Sequence, residues 1–283
     1  MAVKTRKAAQ RMRGRGSVRG PAHIPLDAHE REEKRLERAR RVAAVESTFA
    51  PEATRTRRAA RRPVAKTAAA STEIFDPKDG SGSRLTSPMR TQPDGDRRCV
   101  AFALAAALET WLARVHASAD DLPILSVEHI FKLGDGQEIV SPAASGVRNG
   151  VLETDCFDAS PPCPDAPSRT WRGIVARVDD NRTESLCQLL RVGRPIVSEM
   201  RIFENFSAFR GTETYVPEGK AIGAHALVII GFERASDGSG LWIVKNSYGE
   251  EWGEDGFGRI RWRDPFCKPE RVVFMVREVS RGT

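Results

Sequence analysis

From Cys99 to Val115 the chain reads CVAFALAAALETWLARV, apolar on nearly every side of a helix and rich in strong helix formers. A helix with that distribution has no face to offer water, so it must lie inside the protein. Thr183 to Leu190 predicts a second helix, ending before Gly193. From Pro195 the pattern changes. Pro195–Ser198 opens a series of strand-like runs, followed by Ala224–Phe232, Leu241–Lys245, Phe257–Trp262 and Val272–Val279. Residues 116–180 are mixed and carry turn signals, among them Gly134–Asp135–Gly136 and Pro161–Pro162. Helices first and antiparallel strands afterwards predict an α+β architecture. No internal repeat is visible.

The amino-terminal region has another character. Residues 1–70 hold 19 Lys/Arg against 7 Asp/Glu, a net +12, whereas the whole chain of 283 residues carries +7, so the remainder sums to −5. That asymmetry describes a basic extension on an ordinary globular body. Residues 1–20 are Arg/Gly-rich and almost devoid of large apolar side chains, a composition that predicts disorder. Asp27–Val45 is dense in charge, with i,i+4 pairs such as Glu30–Lys34 and Glu37–Arg41, and predicts a solvated helix. Residues 50–70 read as linker. The expected division is an extension over 1–72 and a globular domain over 73–283. The extension fits a flexible tail, a pro-segment over the active site, or an anchor that contacts polyanions. Phe49 alone supplies an aromatic ring there, which leaves little for base stacking.

Cysteine usage is sparse: Cys99, Cys156, Cys163, Cys187 and Cys267. No C-x-x-C or H-x-x-x-H pair occurs, so no metal site is expected. Cys156 and Cys163 flank a Pro-rich loop, and the sequence leaves open whether they pair. Sparse cysteine favours a reducing compartment. No apolar run follows the amino-terminal charges, so no Sec-type signal is expected, and the expected location is cytoplasmic, with export by another route open. No stretch approaches 18 consecutive apolar residues, which argues against a membrane span.

Three residues carry candidate chemistry. Cys99 stands at the front of the buried helix, after the polar run Asp94–Gly95–Asp96–Arg97–Arg98. A thiol there feels the positive end of the helix dipole, which favours thiolate, and the two arginines are expected to add to that field. By itself, a Cys beside Ala and Phe reads as a small core residue. His225, in A-H-A-L-V-I-I-G-F, likewise reads alone as a satisfied core histidine. The strand that follows changes this. The Ser-Asp-Gly-Ser-Gly loop predicts a hairpin, whose constant index sum brings the start of one strand to the end of the next. His225 then meets Asn246, 21 residues on. An Asn holding one imidazole nitrogen fixes the tautomer and leaves the other nitrogen for a thiol.

At this point a resemblance is visible. GLWIVKNSYGEEWGEDGFGRI (residues 240–260) resembles the Asn-bearing hairpin of papain-like cysteine peptidases, AHALVIIGF resembles their His strand, and CVAFA their nucleophile helix. The order Cys…His…Asn fits, and the spacings of 126 and 147 residues are close to the roughly 130–150 of that pattern. The resemblance covers about Glu73 to Val279, strongest in the final third and around Cys99. It implies a two-lobe fold, a helical lobe with a buried nucleophile helix packed on an antiparallel β lobe. It also implies Cys99 as nucleophile, His225 as base and Asn246 as orienter, acting on peptide or protein substrates without metal or organic cofactor.

Several positions depart from the family pattern. Pro93 stands where a Gln usually supplies an oxyanion donor, and Gln92 lies one residue earlier; a one-residue insertion would let Gln92 serve. Tyr248 replaces the usual Trp and can still shield the His–Asn bond, while Asp96 replaces a disulfide Cys and the usual C-N-G-G substrate loop is not found. These losses resemble bacterial or otherwise non-secretory branches. Two rivals keep the same fold: a thiol acyltransferase or amidase, and a non-catalytic binding protein.

Overall fold

The computed structural model describes residues 71–76, 85–93, 95–116, 122–136, 140–160 and 163–282. The charged helix expected over 27–45, and the extension as far as residue 70, lie outside these. Helix α1 spans Cys99–His116, α2 Val127–Leu133, α3 Val140–Gly146, α4 Thr154–Phe157 and α5 Thr183–Arg191. The strands are β1 (Ser71–Phe75), β2 (Val151–Leu152), β3 (Thr170–Arg177), β4 (Ile196–Phe203), β5 (Ala221–Ala235), β6 (Gly240–Lys245), β7 (Phe257–Arg261) and β8 (Val272–Arg281). They form one sheet in the order β2-β3-β8-β4-β5-β6-β7, with β1 pairing the far end of β5. Every pairing between these strands is antiparallel. This is the expected α+β class, although β1 precedes the helices and β2 and β3 lie among them in the chain.

The sheet is buried on both faces, which explains why its strands read as continuous apolar runs rather than clean alternations. Ala226, Val228 and Ile230 of β5 face one core with Val197, Ile243 and the residues of α1. Leu227 and Ile229 face the other, with Met200, Phe206, Trp242, Trp252 and Ile260. The two cores are therefore written on odd and even positions of the same strand. Small side chains at Ala101, Ala103, Ala105 and Ala107 let α1 lie close against its neighbours. Cys99–His116 also has the length and hydropathy of a membrane-crossing helix, but 78% of that stretch is buried inside the protein. It is the core helix of this fold.

Several polar groups inside this core find partners. Arg114, in the last turn of α1, donates from Nη2 to the Ile230 carbonyl at 2.8 Å, satisfying a strand acceptor while its cation sits at the negative end of the helix. Glu109, fully buried at mid-helix, takes the Leu125 N–H at 2.8 Å and bonds Arg90. Cys156 and Cys163 form a disulfide with Cα atoms 5.1 Å apart, while Cys187 and Cys267 keep buried thiols.

Candidate active site

Cys99 is the first residue of α1 and fully buried. At the front of an 18-residue helix it meets unpaired backbone N–H groups, a field that favours thiolate. The expected contribution of Arg98 is corrected by the structure. Its guanidinium bonds both oxygens of Asp96, at 2.9 and 2.6 Å, and Glu128 at 2.7 Å, so two carboxylates take up its charge.

His225 lies in β5 opposite Met200 of β4, and it is fully buried. Its Nε2 is 2.7 Å from Oδ1 of Asn246. The amide orientation is fixed locally, because the Ser247 N–H donates to the same Oδ1 at 2.8 Å. An oxygen that accepts from Ser247 must also accept from the imidazole, so Nε2 carries the proton and the neutral ring offers its lone pair at Nδ1. The hairpin between β5 and β6 produces this meeting. Val228 pairs Lys245 and Ile229 pairs Val244, which carries Asn246 past the strand end toward His225.

The segment before α1 is stitched to the Asn loop. Gln92 N–H donates to the Ser247 carbonyl at 2.6 Å, Gly249 N–H donates to the Arg90 carbonyl at 3.1 Å, and Thr91 bridges Tyr248. Gly249 has φ +78, and a Cβ there would lie 2.6 Å from Thr91 Oγ1, so only glycine permits this seam. Gln92 is buried, takes the Ser247 hydroxyl on Oε1 at 2.8 Å and gives one Nε2 proton to the Asp96 carbonyl at 2.6 Å. A primary amide keeps a second proton to give. The chain shift from Pro93 to Gln92 therefore still brings a Gln amide beside the Asn loop.

Aromatic rings close the site. Tyr248 tilts over the His225 ring at 4.8 Å between centroids, and Phe206 lies 5.6 Å from it on the β4–β5 connection. Phe206 is held by Trp252, whose Nε1 donates to the Phe206 carbonyl at 2.7 Å. Trp252 in turn needs Gly258, where a Cβ would approach its ring to 2.7 Å. Burial and the charge of Cys99 push the Tyr248 hydroxyl well above its ordinary pKa. Tyr248 thus stands in contact with His225.

Behind Asn246 lies a charged cluster that the pattern of the sequence did not mark as part of the site. Burial pushes Glu109 up to about 7 against the pull of Arg90. Burial also pushes Lys245 down to about 8, with Glu109 opposing. Lys245 points at Met89 Sδ, 3.8 Å away, and lies over the Phe257 ring. The one available signal was a lone Glu inside an otherwise apolar helix. Phe206 carried no signal at all, being one of three Phe in RIFENFSAF. A groove of about 1000 Å³ runs along Leu112, His116, Ile124 and Trp171 and includes none of the site residues. Among the described residues no group of three or more His, Cys, Asp or Glu is placed to hold a metal.

Comparison with known proteins bears on the fold. Residues 161–276 match the model of the papain family cysteine protease, a stretch that includes His225 and Asn246 but ends short of Cys99. The chain is 32% identical over 132 residues to Cathepsin B-like CP3 of Giardia intestinalis, covering 46% of this chain and 42% of that protein. Among solved structures, bromelain from Ananas comosus in complex with the E64 inhibitor superposes with a TM-score of 0.55 at 22% identity, covering 68% of this chain and 94% of bromelain. The proCathepsin B S9 of Trypanosoma congolense superposes with 0.57 at 18% identity, covering 75% and 80%. The fold is papain-like, helices on an antiparallel β lobe. The matched stretch thus resembles the corresponding part of a papain family cysteine protease. The chain spans less than half the length of the curated relatives it matches first. These relatives are eukaryotic, so the expected bacterial branch draws no support from them.

Proposed function

We propose that this domain is a cysteine-type peptidase in which Cys99 is the nucleophile, His225 the base and acid, and Asn246 the orienter. The observation that carries the reading is the buried His225–Asn246 bond, whose tautomer leaves Nδ1 as acceptor. The thiol proton passes from Cys99 to Nδ1, and the thiolate adds to a peptide carbonyl. The oxyanion is held by the Cys99 backbone N–H and by the remaining Nε2 proton of Gln92. Collapse of the tetrahedral adduct breaks the C–N bond, the imidazolium gives its proton to the leaving amine, and a thioester remains. Water then gives a proton to Nδ1 and adds to the thioester, which returns the carboxylic acid and the free thiol. No step calls for a metal or organic cofactor.

The substrates are peptides or proteins. The basic extension is offered as a separable element, a pro-segment or polyanion anchor, rather than as part of the reaction. Transfer of the acyl group to an amine in place of water is the rival that shares every step as far as the thioester. Incubation with peptide substrates, with and without an added amine, tests both: hydrolysis that vanishes in Cys99→Ala supports the peptidase. Predominant transfer product would favour the acyltransferase, and turnover unchanged in Cys99→Ala would overturn the assignment.

A further inference from the structure

We propose that the Tyr248 hydroxyl is a third group at the proton-accepting nitrogen of His225, and that it sets how readily that nitrogen takes the thiol proton. The inference rests on the peptidase reading for its consequence, though not for its geometry. Tyr248 Oη lies 3.4 Å from His225 Nδ1. Asn246 Oδ1 is an acceptor for both Ser247 N–H and the imidazole, so in the neutral ring Nδ1 has a lone pair and no hydrogen. The hydroxyl is therefore the donor in this contact. Burial and the neighbouring Cys99 keep it protonated throughout the working range, so it is always available to donate.

A donor on the Nδ1 lone pair stabilises the neutral imidazole, the form that must be given up when the thiol proton arrives. In forming the thiolate–imidazolium pair, the S–H bond breaks and the N–H bond forms. Tyr248 loses no proton; its O–H gives up its bond to Nδ1, whose new N–H is directed to the thiolate. The ring and the hydroxyl thus have separable roles. The ring covers the His–Asn bond, as any aromatic there would, whereas the hydroxyl restrains the ion pair, which a phenyl group cannot do.

The other titratable neighbours lie on separate elements. From α1 the group is Cys99 itself. On β4, Glu199 and Arg201 flank Met200, the register partner of His225, and Glu199 accepts the Val140 N–H at 2.8 Å. On β6, Lys245 is directed to Met89 and the Phe257 ring. None of these is altered by removing one phenolic oxygen, so a change in His225 titration on its removal is referable to that oxygen.

The test is Tyr248→Phe, read first by NMR titration of the His225 imidazole in a Cys99→Ala background, where no thiol titration overlays it. Losing a single neutral hydrogen bond should raise that titration by on the order of half to one pH unit. With Cys99 present, alkylation by iodoacetamide near neutral pH should quicken by about three- to tenfold, and the alkaline limb of kcat/KM should move upward by the same interval. A titration that is unchanged or lowered overturns the proposal. Should the phenylalanine variant fold poorly, 3-fluorotyrosine incorporated into Tyr215→Phe, which leaves Tyr248 as the only tyrosine of the chain, strengthens the O–H donor and should shift the titration downward; an upward shift overturns the proposal equally. The two readings fail separately. A wild-type protein whose Cys99 alkylates but which cleaves no peptide refutes the peptidase and leaves the hydroxyl's role standing. An active wild type whose pH profile superimposes on that of Tyr248→Phe refutes only the hydroxyl's role.

Discussion

Replacing Asn246 by Ala removes the acceptor of the 2.7 Å bond from His225 and the partner of the Ser247 N–H, in a place that is only 4% exposed. The kinetic magnitude follows from what the bond does. When Nδ1 takes the thiol proton the ring becomes a cation, and a hydrogen bond from a charged group is worth about 1.5–3 kcal/mol. At about 1.36 kcal/mol per decade, kcat should fall by roughly 10- to 150-fold. The base itself remains, so the loss should be smaller than for His225→Ala. Stability should fall as well, by about 1–3 kcal/mol, because a buried N–H at Ser247 loses its acceptor. The assay is steady-state hydrolysis of a dye-linked peptide, with urea unfolding of the same preparations. An Asn246→Ala enzyme that folds normally and turns over within about twofold of wild type would refute the reasoning, since another group would then be orienting the imidazole.

If Gln92 supplies an oxyanion donor, Gln92→Ala should lower kcat on the order of a hundredfold, and an effect below about threefold would assign its buried amide to loop structure alone. Glu109→Ala should cost about 3–5 kcal/mol in urea unfolding, since it strands Arg90 and Lys245 without a counter-charge; a loss under about 1 kcal/mol would mean that they repartner. Glu109 titrates near 7 in the folded chain against about 4.3 when unfolded. Between those values the native state binds more protons, so stability falls as pH rises through that window. Glu109→Gln should flatten that slope, and parallel stability curves would contradict the assignment. Limited proteolysis should nick the first 70 residues and leave a stable fragment beginning near Glu73. A fragment that unfolds would move the domain boundary.

What was legible in the sequence divides along physical lines. Helix α1 announced itself because a helix apolar on every side has only one environment available. Structure extends it by a single residue, to His116, beyond the run that ended at Val115. The meeting of His225 and Asn246 was legible because hairpin register is arithmetic. β4 and β5 proved longer than their apolar runs, reaching Phe203 and Ala235, because Met200–Phe203 pairs with Ala221–His225 and the far end of β5 pairs with β1. Helices α2 and α3, of seven residues each, left no readable period, since two turns carry too few positions to show one. Strand β3 was missed because Thr170–Arg177 interleaves Arg and Gly with its apolar residues, and its pairing with β8 is set from 100 residues away. The Arg90–Glu109–Lys245 cluster escaped for a related reason: three charged residues far apart in the chain show their association only when folded.

The central claim, that Cys99 is the activated nucleophile of this fold, is tested most directly by covalent labelling with an epoxide thiol inhibitor, followed by mass-spectrometric mapping of the modified residue. Cys187 and Cys267 serve as internal controls, because burial pushes the first up to about 11 and holds the second far above the ordinary thiol range. The account predicts stoichiometric modification at Cys99 alone, at a rate that falls by orders of magnitude in His225→Ala. Modification spread over Cys187 and Cys267, or a Cys99 rate indifferent to the loss of His225, would contradict it.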